Sequence, residues 1–147
     1  MVNSTEHLEQ CFAKGVRNYI FRFNMLDRNI AYSLSFVKAQ CGEMVSIKDL
    51  LALPFYKKMS RLKEAVLQRS LGDAFSEWFD SVDHCRRMRN RIVHGHWEIL
   101  PFLEEPIRFD ASVRGKGSFT VKTFMYEIGR LEAVMNDFSS LRDKHSF

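Results

Sequence analysis

Residues 4–40, STEHLEQCFAKGVRNYIFRFNMLDRNIAYSLSFVKAQ, decide the fold because they carry one uninterrupted helical pattern. Apolar side chains recur there at steps of three and four, as on one face of an α-helix. No proline interrupts the stretch, Gly15 is its weakest helical residue, and Cys41-Gly42 predicts its end. A helix of this length extends for about 50 Å, so we expect one end to pack against something further, such as a second subunit. The apolar row consists of Leu8, Phe12, Val16, Tyr19, Phe23, Leu26, Ile30, Leu34 and Val37.

Further helices follow in the pattern. The stretch from Ser46 to Asp49 has the form of a capping box that opens a short helical segment, and Pro54 ends or restarts it. Asp73 is a good N-cap for a later helix, which we expect to run to about Val93 with Gly95 just past its end. The expected apolar positions are Phe55, Met59, Leu62, Val66 and Leu67, then Phe75, Trp78, Phe79, Val82, Cys85 and Ile92, and finally Phe124, Ile128, Leu131, Val134 or Met135, Phe138 and Leu141.

Residues 96–121 break this helical pattern. The segments WEIL (97–100), PIRFDA (106–111) and SFTV (118–121) alternate or are rich in β-forming residues. RGKG (114–117) is a turn signal between two of them. We therefore predict an all-α fold of four main helices, with a short β-hairpin or ordered loop between the last two, in which Trp97 and Phe102 cover the inner side of the hairpin.

The composition fits a single domain over residues 1–147, since 46% of the residues are hydrophobic and 13 are phenylalanine. Three cysteines without metal-type spacing indicate a reducing, cytoplasmic setting, because they cannot all pair with one another. The polar N-terminus does not resemble a signal peptide, and no apolar run approaches the roughly 18 residues of a membrane span. The net charge of +4 is compatible with an anionic partner.

That positive charge is concentrated in RRMRNRIVHGHW (86–97), where four arginines and two histidines fall within one helix end. Arg89 continues the apolar face of Phe75 and Val82, where a guanidinium is costly unless it is paired or faces a cleft. His94 lies five residues later, about 140° around a regular helix. The two side chains converge on one pocket if the helix ends near His94 and the chain turns at Gly95.

Arginine binds a phosphate through two hydrogen bonds, and histidine transfers a proton near neutral pH. Together they suit metal-free cleavage of RNA, in which the ribose 2′-OH attacks its own phosphate. One Arg89 and one His94 supply half of the base, acid and charge stabiliser that this reaction needs, and a symmetric dimer would supply two of each. General binding of anions or nucleic acid, and a solvated charge cluster favoured by the helix dipole, remain open.

Arg89-Asn90-Arg91-Ile92-Val93-His94, at the end of a helix, resembles the R-x-x-x-x-H signature of the HEPN superfamily, in particular its bacterial abortive-infection and toxin-type members. The resemblance implies an up-and-down four-helix bundle with a long first helix, which dimerises and cleaves RNA without a metal or cofactor. It implies that Arg89 stabilises the scissile phosphate, that His94 transfers a proton or positions the 2′-OH, and that Asn90 orients His94 or the phosphate by hydrogen bonds. Arg86, Arg87, Arg91 and His96 are the expected RNA contacts.

The resemblance also implies a toxin or phage-defence effector with an antitoxin or regulatory protein as partner. One toxin branch carries a modifiable tyrosine two residues after the histidine, where this chain has His96, so control by that modification is not expected. The main alternative is a non-catalytic HEPN-like module that binds a nucleotide, RNA or a protein through the same patch. A DNA-binding regulator is weaker, since no helix-turn-helix partner is evident. We expect no metal at His84, Cys85, His94 and His96, because four nearby arginines repel a dication.

Overall fold

The computed structural model describes residues 4–99, 107–110, 116–119 and 121–147. The chain is mainly helical there, and the predicted all-α class with a long first helix is confirmed. Across the described ranges, every helix falls short of the length and apolarity that a membrane crossing requires. The elements are α1 (Ser4–Gln40), α2 (Ile47–Ala52), α3 (Phe55–Gln68), α4 (Gly72–His94), β1 (His96–Ile99), β2 (Ile107–Asp110), β3 (Lys116–Phe119) and α5 (Val121–His145).

The first helix has the bounds that its periodicity predicts. Its end is a Schellman motif: Gly42 adopts a φ of 78°, and its N–H donates to the Ala39 carbonyl at 3.0 Å. The N–H of Glu43 donates to the Lys38 carbonyl at 2.9 Å. Glycine is favoured at position 42 because a side chain there would strain the left-handed backbone. The apolar row is buried from its midpoint onward, at Tyr19, Phe23, Leu26, Ile30, Leu34 and Val37.

The chain divides into two compact units. The first consists of Met1–Arg22 and Asp83–Glu132, and the second consists of Phe23–Val82 and Ala133–Phe147. The helices α1, α4 and α5 therefore each contribute one segment to each unit. The first unit also holds the strands, whereas α2 and α3 belong to the second.

An aromatic cluster forms the core of the first unit. The ring centroids of Phe12 and Trp97 lie 4.7 Å apart, and Phe124 lies 6.0 Å from Phe12 and 6.5 Å from Tyr19. The indole N–H of Trp97 donates to the Ile92 carbonyl at 3.2 Å. Trp97, which we predicted to cover the inner side of the hairpin, therefore packs against Phe12 of α1 and lies close to Phe124 of α5. Phe102, its predicted companion, lies outside the described residues.

Gly15 allows α1 and α5 to approach closely within this cluster. A Cβ added at Gly15 would lie 2.8 Å from Cδ1 and 3.0 Å from Cε1 of Phe124. The Phe124 ring is buried between other rings and has little space to retreat. Gly15 was the weakest residue of the predicted helix, and the structure shows why a small residue is needed there.

We expect Gly15→Ala to destabilise the protein by about 1–3 kcal/mol, because overpacking outweighs the roughly 1 kcal/mol that alanine gains over glycine in a helix. Chemical denaturation measures the change. Gly129→Ala, at a helical glycine of α5 whose added Cβ meets nothing within 4 Å, is the matched control and should stabilise the protein. A stabilised Gly15→Ala protein would contradict the close contact.

The core of the second unit centres on Trp78 of α4 and Phe138 of α5, whose rings stack at 4.6 Å. The Trp78 indole N–H donates to the Val134 carbonyl at 2.9 Å. Val134, rather than Met135, is thus the fully buried member of the α5 stripe. Further buried apolar residues of this unit are Leu50, Met59, Leu62, Val66, Phe75 and Val82.

A buried ion pair joins α1 and α3 within the second unit. Lys58 is 1% exposed, and its Nζ lies 2.9 Å from both carboxylate oxygens of Asp27. The same Nζ donates to the Leu51 carbonyl at 3.1 Å. Three acceptors thus satisfy the buried ammonium group, which is the arrangement that makes a charge tolerable away from water.

Several local predictions were wrong in detail. Ser46 is the N-cap of α2, and its backbone carbonyl accepts from the N–H groups of Asp49 and Leu50, but its side chain makes no capping hydrogen bond. Leu67 is exposed, since only the other positions of its stripe face the core. Asp73 lies inside the first turn of α4, which begins one residue earlier.

The predicted hairpin is part of a three-stranded antiparallel sheet in the order β1-β2-β3. His96 pairs with Asp110 and Ile99 with Ile107, and Ile107 in turn pairs with Phe119. Residues 114 and 115 of the predicted turn lie outside the described residues, while residues 116 and 117 belong to β3. Residues 97–99 of the segment WEIL thus lie in β1, which adds a third strand to the predicted hairpin.

Candidate phosphate-binding site at the end of α4

The end of α4 lies where the sequence predicts it. The helix remains regular through His94, and the Gly95 N–H donates to the Arg91 carbonyl at 2.8 Å. The buried row of the helix is also as predicted, since Trp78, Cys85 and Ile92 are almost fully covered. This end belongs to the first unit, which also contains the strands and the first part of α5, up to Glu132.

Arg89 and His94 leave this helix on different sides. Arg89 is half-buried, with its Nε shielded from solvent, beside the apolar row. His94 is exposed. Because the helix stays regular between them, the two side chains point about 140° apart around its axis. The helix α4 ends at the predicted place, but its end does not bring the side chains of Arg89 and His94 together within a single chain.

Asp83 holds two of the predicted RNA contacts. Its Oδ1 accepts from Arg86 Nε at 2.9 Å, and its Oδ2 accepts from Arg87 Nε and NH2 at 2.9 and 2.6 Å. These hydrogen bonds, from Arg86 first and Arg87 second, hold the pKa of the Asp83 carboxyl below its usual value. The ionised carboxylate fixes both arginines and offsets one of their charges, although the Arg87 side chain remains 69% exposed.

The remaining predicted contacts are distributed around the last turn and a half. Arg91 is exposed, and Asn90 is half-buried. His96 begins β1, but its side chain lies outside the described part of the chain. The exposed cations Arg87 and Arg91 thus stand nearer to His94 around the helix than Arg89 does.

His84, one turn before Arg87 on α4, forms a histidine–carboxylate pair with α5, which the sequence alone does not predict. His84 Nε2 lies 2.8 Å from Glu127 Oε2 of α5. Glu127 is only 7% exposed, and Arg130 NH1 lies 4.0 Å from its other oxygen. The His84 side chain is 37% exposed. A buried glutamate on an otherwise apolar helix face was the available signal, since such a carboxylate requires a partner.

Cys85, the next residue, is part of the core. The Tyr19 hydroxyl, itself fully buried, donates to the Cys85 carbonyl at 3.0 Å. Burial raises the pKa of the Cys85 thiol, and burial likewise raises the pKa of the Tyr19 phenol. Neither group is therefore available as a nucleophile near neutral pH.

We expect a thiol-specific reagent at pH 7–8 to modify Cys41, which is exposed, and Cys11, which is half-exposed, while Cys85 stays protected. The raised pKa lowers the thiolate fraction of Cys85, and its 1% exposure blocks access. Peptide mass mapping after a timed reaction measures this order, and unfolding in denaturant should release the third thiol. Equal rates at all three cysteines would contradict the packing around Cys85.

Within the described residues, no group of three or more histidine, cysteine, aspartate or glutamate side chains is placed to hold a metal ion. The end of α4 thus carries several arginines and histidines. Glu127 pairs with His84, and Asp83 pairs with Arg86 and Arg87. Comparison of the chain with protein-family models, with curated proteins and with solved structures gave no match.

Proposed function

We propose that the chain is a metal-independent endoribonuclease of the HEPN type, which acts as a homodimer and serves as a toxin or phage-defence effector. The observation that carries the proposal is the exposed His94 at the last position of α4, with Arg89 half-buried one turn and a half before it. In this proposal Arg89 stabilises the phosphate, His94 transfers a proton, and Asn90 orients His94 or the phosphate by hydrogen bonds. The three free thiols fit a reducing cytoplasm.

The geometry of α4 favours a composite site. Because Arg89 and His94 point about 140° apart on one helix, we infer that Arg89 of one chain works with His94 of another. Each dimer then holds two Arg89–His94 sets related by its two-fold axis. The exposed Arg87 and Arg91, together with the half-buried Arg86, supply the electrostatic attraction for the RNA strand on either side of the cleaved bond.

Apolar surface on α1 supports the second subunit. Met25, Tyr32 and Phe36 are 40%, 45% and 48% exposed, and their spacing places them on one side of the helix. Exposed apolar side chains that share a face mark a contact surface more often than isolated ones do. The long first helix thus has a face that a second copy can cover, as its length predicts.

The reaction follows from these groups without a metal. A neutral imidazole takes the proton from the ribose 2′-OH, and the 2′-oxygen attacks the adjacent phosphorus. The bond from phosphorus to the 5′-oxygen breaks, and the imidazolium formed in the first step returns that proton to the leaving oxygen, so one His94 in each set acts first as base and then as acid. The products are a 2′,3′-cyclic phosphate and a 5′-hydroxyl end, and the arginine balances the added charge in the transition state.

The purified protein, incubated with total RNA in EDTA, tests the proposal. We expect cleavage with cyclic-phosphate and 5′-hydroxyl ends, mapped by end-specific ligation, and a molar mass of two chains by light scattering. RNA that survives while binding to the protein would support the alternative, a non-catalytic module that uses the same exposed arginines. RNA that neither binds nor breaks would contradict both functions.

A further inference from the structure

Four side chains follow one line along the last three turns of α4. His84, Arg87, Arg91 and His94 are spaced by three, four and three residues, which confines them to a sector of about 80° around the helix. They extend over about 15 Å of helix. All four have exposed or partly exposed side chains, so the line forms one continuous polar stripe in which an imidazole stands at each end.

His84 differs from the other three because α5 holds its ring. A carboxylate oxygen can only accept, so the Nε2–H of His84 donates to Glu127 at 2.8 Å. In the neutral ring this leaves Nδ1 as a hydrogen-bond acceptor, on a side chain with 37% of its surface in solvent. Among the described residues, the charged or titratable groups around this pair include Arg130 on α5 and the buried Tyr19 on α1. On α4 they include Asp80, Cys85, and Asp83, which accepts from Nε and NH2 of Arg87.

We propose that His84, held by Glu127, reads the ribose 2′-OH of the nucleotide whose phosphate binds at Arg87. Arg87 lies one helical turn from His84, the spacing at which two side chains contact the same small group. Arginine contacts to phosphates carry no information about the sugar, whereas an acceptor beside them distinguishes RNA from DNA. Arg91 then binds the next phosphate towards His94.

This inference rests on the proposed function, since it assigns a sugar-reading contact to the same RNA. It concerns recognition rather than cleavage, and His84 lies too far from His94 along α4, at about 15 Å, to share its phosphate. A fixed imidazole acceptor contributes to the preference for RNA over DNA, whereas a purely structural ion pair contributes only to the stability of the fold. The ratio of affinities for RNA and DNA separates the two roles.

The test measures the affinities of labelled hexamers of one sequence as RNA, DNA and 2′-O-methyl RNA. The full chain is used in the His94→Ala background so that the RNA stays intact. We expect RNA to bind about fivefold more tightly than the other two, the size of one hydrogen bond. His84→Gln should lower RNA affinity to the DNA level and leave DNA affinity unchanged. His7→Gln, an exposed histidine on α1, should keep the ratio.

Glu127→Leu serves as the second variant in case His84→Gln fails to fold, because leucine fills the buried position and cannot accept from the Nε2–H of His84, so the ring is no longer fixed. We expect the RNA preference to fall there also. Equal affinities for RNA and DNA in the starting protein, or an unchanged preference in a folded variant, would overturn the assignment of His84. A protein that prefers RNA through His84 yet cleaves none in EDTA would retain this inference and refute the proposed catalysis.

Discussion

Replacing His94 with alanine should lower the rate of RNA cleavage by about 100-fold or more, the range of a lost general acid or base. His94 is exposed at the end of α4, so the free energy of unfolding should change by less than about 0.5 kcal/mol. Rates under single-turnover conditions, with urea denaturation of the same samples, measure both quantities. His7→Ala is the matched control and should leave the rate unchanged. A variant that still cleaves at the original rate would refute the role of His94.

Because Arg89 is half-buried, its role is better tested by a conservative substitution. Arg89→Lys keeps the positive charge and loses the planar fork that holds a phosphate by two hydrogen bonds. We expect a strong loss of rate with near-normal stability, whereas Arg89→Ala should lose both. An active Arg89→Lys protein would show that charge alone suffices at this position.

Mixing the two inactive proteins tests whether the site is composite. A mixed dimer of His94→Ala and Arg89→Lys chains contains one set with an intact Arg89 and an intact His94 if these come from different chains. Random exchange makes about half of the dimers mixed, each with one of two sites, so about a quarter of the activity should return. If Arg89 and His94 of the same chain act together, no activity returns.

Removing the Asp27 carboxylate should have the largest effect on stability. Asp27→Ala leaves the ammonium group of Lys58, which is 1% exposed, without its counter-ion. Breaking a buried ion pair from one side costs about 3–5 kcal/mol, because the remaining charge stays away from water. Urea denaturation should show this loss directly. Lys58→Met should cost less, since the Asp27 side chain is 29% exposed and can be hydrated.

The double variant Asp27→Leu/Lys58→Met separates charge pairing from packing. We expect it to be near the original stability, because well-packed apolar residues often replace a buried pair at no cost. Glu132→Ala provides the exposed comparison, since it removes the 2.9 Å bridge to Arg22 at the surface. That loss should stay within about 1 kcal/mol. Equal losses from Asp27→Ala and Glu132→Ala would contradict the burial of Lys58.

The features that the sequence predicted well are local in origin. The ends of α1 follow from unbroken periodicity and from Gly42, and the end of α4 follows from Gly95. The predictions that failed depended on distant contacts. Whether Leu67 faces the core, for example, is decided by elements far along the chain.

The candidate site shows the same limit. Helical spacing placed Cys85 and Ile92 in the core, and both lie there. The His84–Glu127 pair joins residues on two helices, and the Lys58–Asp27 pair joins α3 to α1. Pattern on one helix cannot reveal such partners, because they are chosen by how the helices pack together.

The absence of a side chain at Gly15 ties the evolution of that position to Phe124. A lineage that acquires alanine at position 15 must first shrink the opposing ring, for instance to leucine, or it passes through a poorly folded intermediate. Substitutions at the two positions should therefore appear together and in a fixed order among descendants of this sequence. That correlated history would mark the α1–α5 contact even where the rest of the chain has diverged.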